Sequence, residues 1–161
     1  VFTLSLRMLG HREEAEEVSQ DVFIKVYKSL PSFKGDSKLS TWVYRIAYNT
    51  CLDKIRKVKK QRIHLDMEHA DRIDYADLDT AFHKMVAVER SELIAECLSK
   101  LSAEDAGVLT LFYLEEKNLL EIEKATNLPV NTVKVRLFRA RERLAGIMDR
   151  SLNKEIFQSN G

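Results

Sequence analysis

Five cations, Lys134, Arg136, Arg139, Arg141 and Arg143, fall within ten residues near one end of a 161-residue chain. A second basic run, KIRKVKKQR, lies far upstream at residues 54–62. Side chains of this kind hold phosphate, Lys as a point charge and Arg as a planar fork of donors. Just before the upstream run, Tyr44 and Tyr48 stand four residues apart, so on a helix their rings are neighbours. Such a pair can stack on exposed bases at roughly 1–3 kcal/mol per base. Asn49 beside them adds an amide able to bond a base edge. A polyanion touched at two separated places is the ligand this spacing suits. Taken singly, each segment also fits a simpler role, a solvated basic helix face or two tyrosines covering a bundle edge.

Other chemistries lack their residues. His11, His64, His69 and His83 are scattered, with no Cys or carboxylate at a metal-binding spacing, so no metal site and no cofactor is expected. A Gly-rich phosphate loop, a nucleophile elbow and an HExxH sequence are all missing, which argues against an enzyme. Two cysteines, Cys51 and Cys97, make no disulfide framework and read as separate thiols in a reducing compartment, so a cytoplasmic location is expected. No apolar run reaches the length of a membrane span. The totals of 26 basic and 25 acidic groups conceal a strong division by position. Residues 45–62 hold seven basic groups and one acidic, residues 63–88 two and six, residues 89–128 four and nine, and residues 129–145 five and one.

The elements that would position these groups are helices. Pro and Gly are scarce, and apolar residues recur near every 3.6 positions. Glu13–Ser29 places Ala15, Val18, Val22, Phe23 and Val26 on one stripe and leaves Glu14, Glu17, Asp21 and Lys25 elsewhere. After the break at Pro31 and Gly35, a helix from about Ser37 to Lys60 is predicted, with Leu39, Trp42, Val43, Ile46 and Ala47 in the core. Residues 62–80 lose the period and read as an acidic linker between two domains. Periodicity returns from Phe82 to Leu101. Ser102 and Asn118 each stand three residues before an acidic group, which marks two helix starts. Helices at about 103–116, 119–126 and 131–149 follow, the last two joined at Pro129 as a helix-turn-helix. The predicted fold is all-α, two small helical bundles joined by a flexible linker. The acidic segment Glu13–Asp21, with Gln20 and Phe23, would suit a basic protein partner.

Three blocks resemble a bacterial sigma factor of the extracytoplasmic-function group: EEAEEVSQDVFIKVYKSLPSFKG, LSTWVYRIAYNTCLDKIRK and NLLEIEKATNLPVNTVKVRLFRARERL. The resemblance implies region two at residues 1–62, an acidic linker at 63–88, region four at 89–150 and a tail at 151–161. It implies core RNA polymerase contacts at Glu17, Gln20, Asp21 and Phe23. Minus-ten recognition and melting would fall to Tyr44, Arg45, Tyr48, Asn49, Arg56 and Lys57, with Trp42 and Asp53 as supports. The minus-thirty-five element would be read by Asn131, Thr132, Lys134, Arg136, Arg139 and Arg143.

Implied partners are core RNA polymerase, promoter DNA as duplex and as melted strand, and an anti-sigma factor, with no membrane insertion and no covalent catalysis. Against the family pattern, Val135 stands where Ser is usual, Asn131 where Gly is frequent, Tyr48 where a basic residue is common, and Glu123 in place of a small residue. The family has further helix before the position of Val1, so the start of region two is expected to be missing. The competing reading is a helix-turn-helix regulator that acts without replacing the resident sigma factor.

Overall fold

A computed structural model describes residues 1–64 and 94–159 of the chain. The expected linker at 63–88 lies almost wholly outside these residues, and of the expected Phe82–Leu101 helix only its end is described. Among the described residues the secondary structure is entirely helical. Helix α1 spans Phe2–Leu9 and α2 spans Arg12–Ser29. Gly10 separates them at φ 77°, a left-handed turn that a side chain would disfavour. A single 3₁₀ turn at Leu30–Ser32, with Pro31 inside it, leads toward α3 at Leu39–His64. Residues 94–99 form the described end of α4. Then come α5 at Ala103–Leu109, α6 at Leu119–Thr126 and α7 at Val130–Ser159. None of the helices among the described residues is long and apolar enough to cross a membrane.

Local sequence accounts for most boundaries. The Ser102 side chain accepts from the Asp105 N–H at 3.2 Å and starts α5. Asn118 and Glu121 form a reciprocal capping box at 2.9 and 3.0 Å and start α6. Asn127, at φ 60°, ends α6 in the left-handed conformation that Asn tolerates. The helix predicted at 103–116 is not continuous. At Thr110–Leu114 it widens to a π-type turn, with the Glu115 N–H bonded to the Thr110 carbonyl at 3.0 Å. The last helix runs ten residues beyond its predicted end, to Ser159.

The two halves share one core. Leu4, Met8, Val18, Val22, Ala47, Tyr48 and Cys51 from the first half join Leu98, Val108, Leu109, Leu111, Ile122, Ala125, Val133, Leu137 and Ala140 from the second. Contact runs through α1 against α5 and α3 against α6. Helix α3 is therefore covered on two sides. Its buried residues are Thr41, Ala47, Tyr48, Thr50 and Cys51, while Leu39 is 49 % exposed and Trp42 only half-buried.

Candidate nucleic-acid interface

In the second half, α6, a tight connection through Pro129 and α7 form a helix-turn-helix. Glu123 explains its own departure from the small residue expected there. Its carboxylate accepts from the Val130 N–H at 3.2 Å and satisfies a backbone donor at the start of α7. Asn131, Thr132, Lys134 and Arg139 are exposed on that helix. Arg136 and Arg143 behave differently. Both donate to the carboxylate of Asp105 on α5, Arg136 at 3.4 Å to one oxygen and Arg143 to the other. The Asp105 side chain is only 4 % exposed, so these two arginines are anchored to the domain on one side. Arg141, too, is held, donating to the Leu137 carbonyl and the Tyr113 hydroxyl, each at 3.2 Å.

On α3, Arg45, Asn49, Arg56 and Lys57 are exposed. At 100° per residue, Arg45, Asn49 and Arg56 lie within about 40° of one another, so they form one strip along the helix. The two tyrosines expected beside that strip face the second half of the molecule instead. Tyr48 is 2 % exposed, and burial pushes its hydroxyl up to about 12. Gly107 of α5 lies close against its ring, for a Cβ there would meet Tyr48 Cε2 at 2.9 Å and Met8 Sδ at 3.1 Å. Tyr44 donates to the Glu115 carboxylate, and Lys117 Nζ sits 5.4 Å from its ring centroid. Burial, reinforced by Glu115, raises the Tyr44 hydroxyl as well. Lys38 at the head of α3 pairs with Glu121 at 2.9 Å, and Lys124 donates to the Asp36 carbonyl.

Of the two expected supports, Trp42 is half-buried rather than in the core, and Asp53 is exposed. Trp42 packs against Phe33, ring centroids 5.1 Å apart, at the edge of the bundle. Asp53 is mostly exposed and pairs with Arg56 at 3.3 Å, so it steadies a cation rather than the core.

Glu17, Gln20, Asp21 and Phe23 are all exposed on α2. Lys54 of α3 pairs with Glu17 at 2.6 Å, and this hydrogen bond holds the Glu17 carboxyl below the ordinary carboxylate value. The same helix leaves Ile24 and Tyr27 in solvent, Tyr27 at 81 %, and Leu30 just after it is exposed too. Phe23, predicted for the buried stripe, is instead 59 % exposed, and with Tyr27 and Leu30 at i+4 and i+7 it makes an outward apolar face.

Comparison with known proteins follows the same division. A model of Sigma-70 region 2 matches residues 1–61, and one of Sigma-70, region 4 matches residues 91–144. The chain is 39% identical over 151 residues to the ECF RNA polymerase sigma factor SigW of Bacillus subtilis, covering 89% of this chain and 80% of that protein. It is 33% identical over 137 residues to the ECF RNA polymerase sigma-E factor of Haemophilus influenzae, covering 81% and 72% respectively. Its fold matches the sigma factor RpoE of Bartonella quintana, solved with the anti-sigma factor NepR, at a TM-score of 0.70 and 20% identity over 92% of this chain and 89% of that one.

Proposed function

This chain belongs to the extracytoplasmic-function sigma factors of the sigma-70 family, and we propose that its two DNA-facing helices engage promoter DNA at separate steps. It is an alternative sigma factor that directs RNA polymerase to promoters. Helix α7 would read the minus-thirty-five duplex first, through Asn131, Thr132, Lys134 and Arg139, with Arg136 and Arg143 oriented by Asp105. Helix α3 would take the minus-ten strand afterwards, Arg45, Asn49, Arg56 and Lys57 holding it and Tyr44 and Tyr48 stacking on its bases. The exposed face of α2, from Glu17 to Phe23, would meet core polymerase.

One observation supports this order. The reading strip of α7 is open to solvent while Tyr48 is 2 % exposed beneath α5. Duplex can approach α7 in the arrangement described, but bases cannot reach Tyr48 until α5 leaves α3. A partner that holds the halves together would keep melting activity switched off, which is the role we assign to an anti-sigma factor. Covalent chemistry stays with the polymerase. The protein's part is to lower the free energy of the opened duplex by binding one strand, offsetting a few kcal/mol of unstacking per step.

In vitro transcription with purified core polymerase tests the assignment. Arg45→Ala and Asn49→Ala replace exposed side chains, so the fold should survive them. Both should depress transcription strongly on duplex templates and weakly on templates premelted at the minus-ten element. Lys134→Ala and Arg139→Ala should weaken upstream binding on both templates and flatten its salt dependence by about 0.9 in log–log slope per lost phosphate contact. Equal activity of all four with the native chain at limiting concentration would refute the residue roles. Sequence-specific duplex binding without any association with core polymerase would favour the regulator reading instead.

A further inference from the structure

The outward strip of α7 is not uniformly polar. Val135 is 49 % exposed and Phe138 is 57 % exposed. Three residues apart, they are neighbours on the helix surface, opposite the buried row Val133, Leu137 and Ala140. Lys134, Arg139 and Arg141 border them, all exposed. An apolar island inside a cationic rim suits a ligand that is anionic at its edges and apolar at one point. Duplex DNA offers such a point in the major groove, the C5-methyl group of thymine. Val135 is the sixth residue of α7, in the N-terminal part of the helix that reaches base edges in helix-turn-helix proteins. Its β-branched side chain is confined in a helix to essentially one rotamer, so its two methyl groups are presented to the groove already oriented.

We infer that Val135 is a specificity-determining residue that reads a thymine methyl group in the upstream element, with Phe138 covering the adjoining base step. This rests on α7 being the duplex-reading helix. A serine at 135 would favour a hydrogen-bonding edge; valine can gain only from a methyl group, and so selects an A·T pair by what it touches rather than by what it bonds. From Val135 to Phe138 the helix rises about 4.5 Å, comparable with the base-pair step of about 3.4 Å, so the two side chains can serve successive pairs.

The test uses the full chain assembled with core polymerase. Upstream duplex is first selected from a random promoter pool, and each thymine in it is then replaced singly by deoxyuridine, which removes the methyl group and keeps the base-pairing edge. At one position the native holoenzyme should lose about fourfold in affinity, the worth of one buried methyl group. Val135→Ser should be indifferent to that same replacement. Phe138→Ala should retain the native response there, and both variants should bind core polymerase normally in the absence of DNA. Indifference of the native protein to every deoxyuridine replacement would overturn the inference. So would loss of polymerase binding by Val135→Ser, which would make the island a protein contact. Failure to select any preferred promoter would instead remove the duplex-reading assignment beneath it.

Discussion

Gly107→Ala should loosen the contact between the two halves. The added Cβ would lie 2.9 Å from Tyr48 Cε2 and 3.1 Å from Met8 Sδ. Neither neighbour can move away freely, because Tyr48 is 2 % and Met8 5 % exposed. Overpacking of this kind costs about 1–3 kcal/mol. Alanine also gains about 1 kcal/mol of helix propensity over glycine, but α5 is a helix whether or not it touches α3. That gain cancels in the equilibrium between closed and separated halves, and the whole steric penalty falls on closure. At 1.36 kcal/mol per factor of ten, the separated population should rise about 5- to 150-fold. Small-angle scattering should report a larger radius of gyration, and a minus-ten single strand should bind more tightly because Tyr48 is uncovered. Native dimensions together with native strand affinity in Gly107→Ala would refute the reasoning, since the added Cβ would then be accommodated with the halves still closed.

Three further outcomes are expected. Burial raises Tyr48 from 10.0 to about 12, so its contribution to closure is complete below pH 10 and is lost as pH rises toward 12; scattering at rising pH should show opening there, smaller in Tyr48→Phe, where only the similarly raised Tyr44 remains. Asp105→Asn should lower stability in chemical denaturation by about 1–2 kcal/mol, less than for a fully buried ion pair because Arg136 and Arg143 reach solvent. Asn118→Ala should cost about 1 kcal/mol in thermal unfolding by removing half of the capping box on α6, and should weaken upstream binding by loosening the helix-turn-helix.

Much of the local structure was legible from residue order. Ala15, Val18 and Val22 of the predicted α2 stripe are buried as their spacing predicts, although Phe23 of the same stripe is 59 % exposed, and Ser102 and Asn118 cap the helices they were expected to start. These features depend on neighbours within four residues, which the sequence states directly. The α1 stripe of Leu4 and Met8 was equally local, and its signal was simply passed over. The reading of α3 failed in a different way. The single apolar stripe predicted for α3 includes Leu39, which is half exposed, while Tyr48, expected off that stripe to stack on bases or cover the bundle edge, is buried in the core. A helix covered on two sides has no single stripe, so its period misdirects.

Sequence alone determined the helices, two basic segments among them and an acidic helix ahead of both, because periodicity, caps and charge runs are properties of short segments; the family followed from the resemblance of three blocks of residues. Tertiary structure decided which of those groups are available. It set Tyr48 beneath Gly107, tied Tyr44 to Glu115, anchored Arg136 and Arg143 on Asp105, and left Val135 and Phe138 facing out. Burial is a sum over surfaces brought together from distant parts of the chain. Helix spacing predicts which face can be covered, but only the packing of α1 and α3 against α5 and α6 shows what covers it.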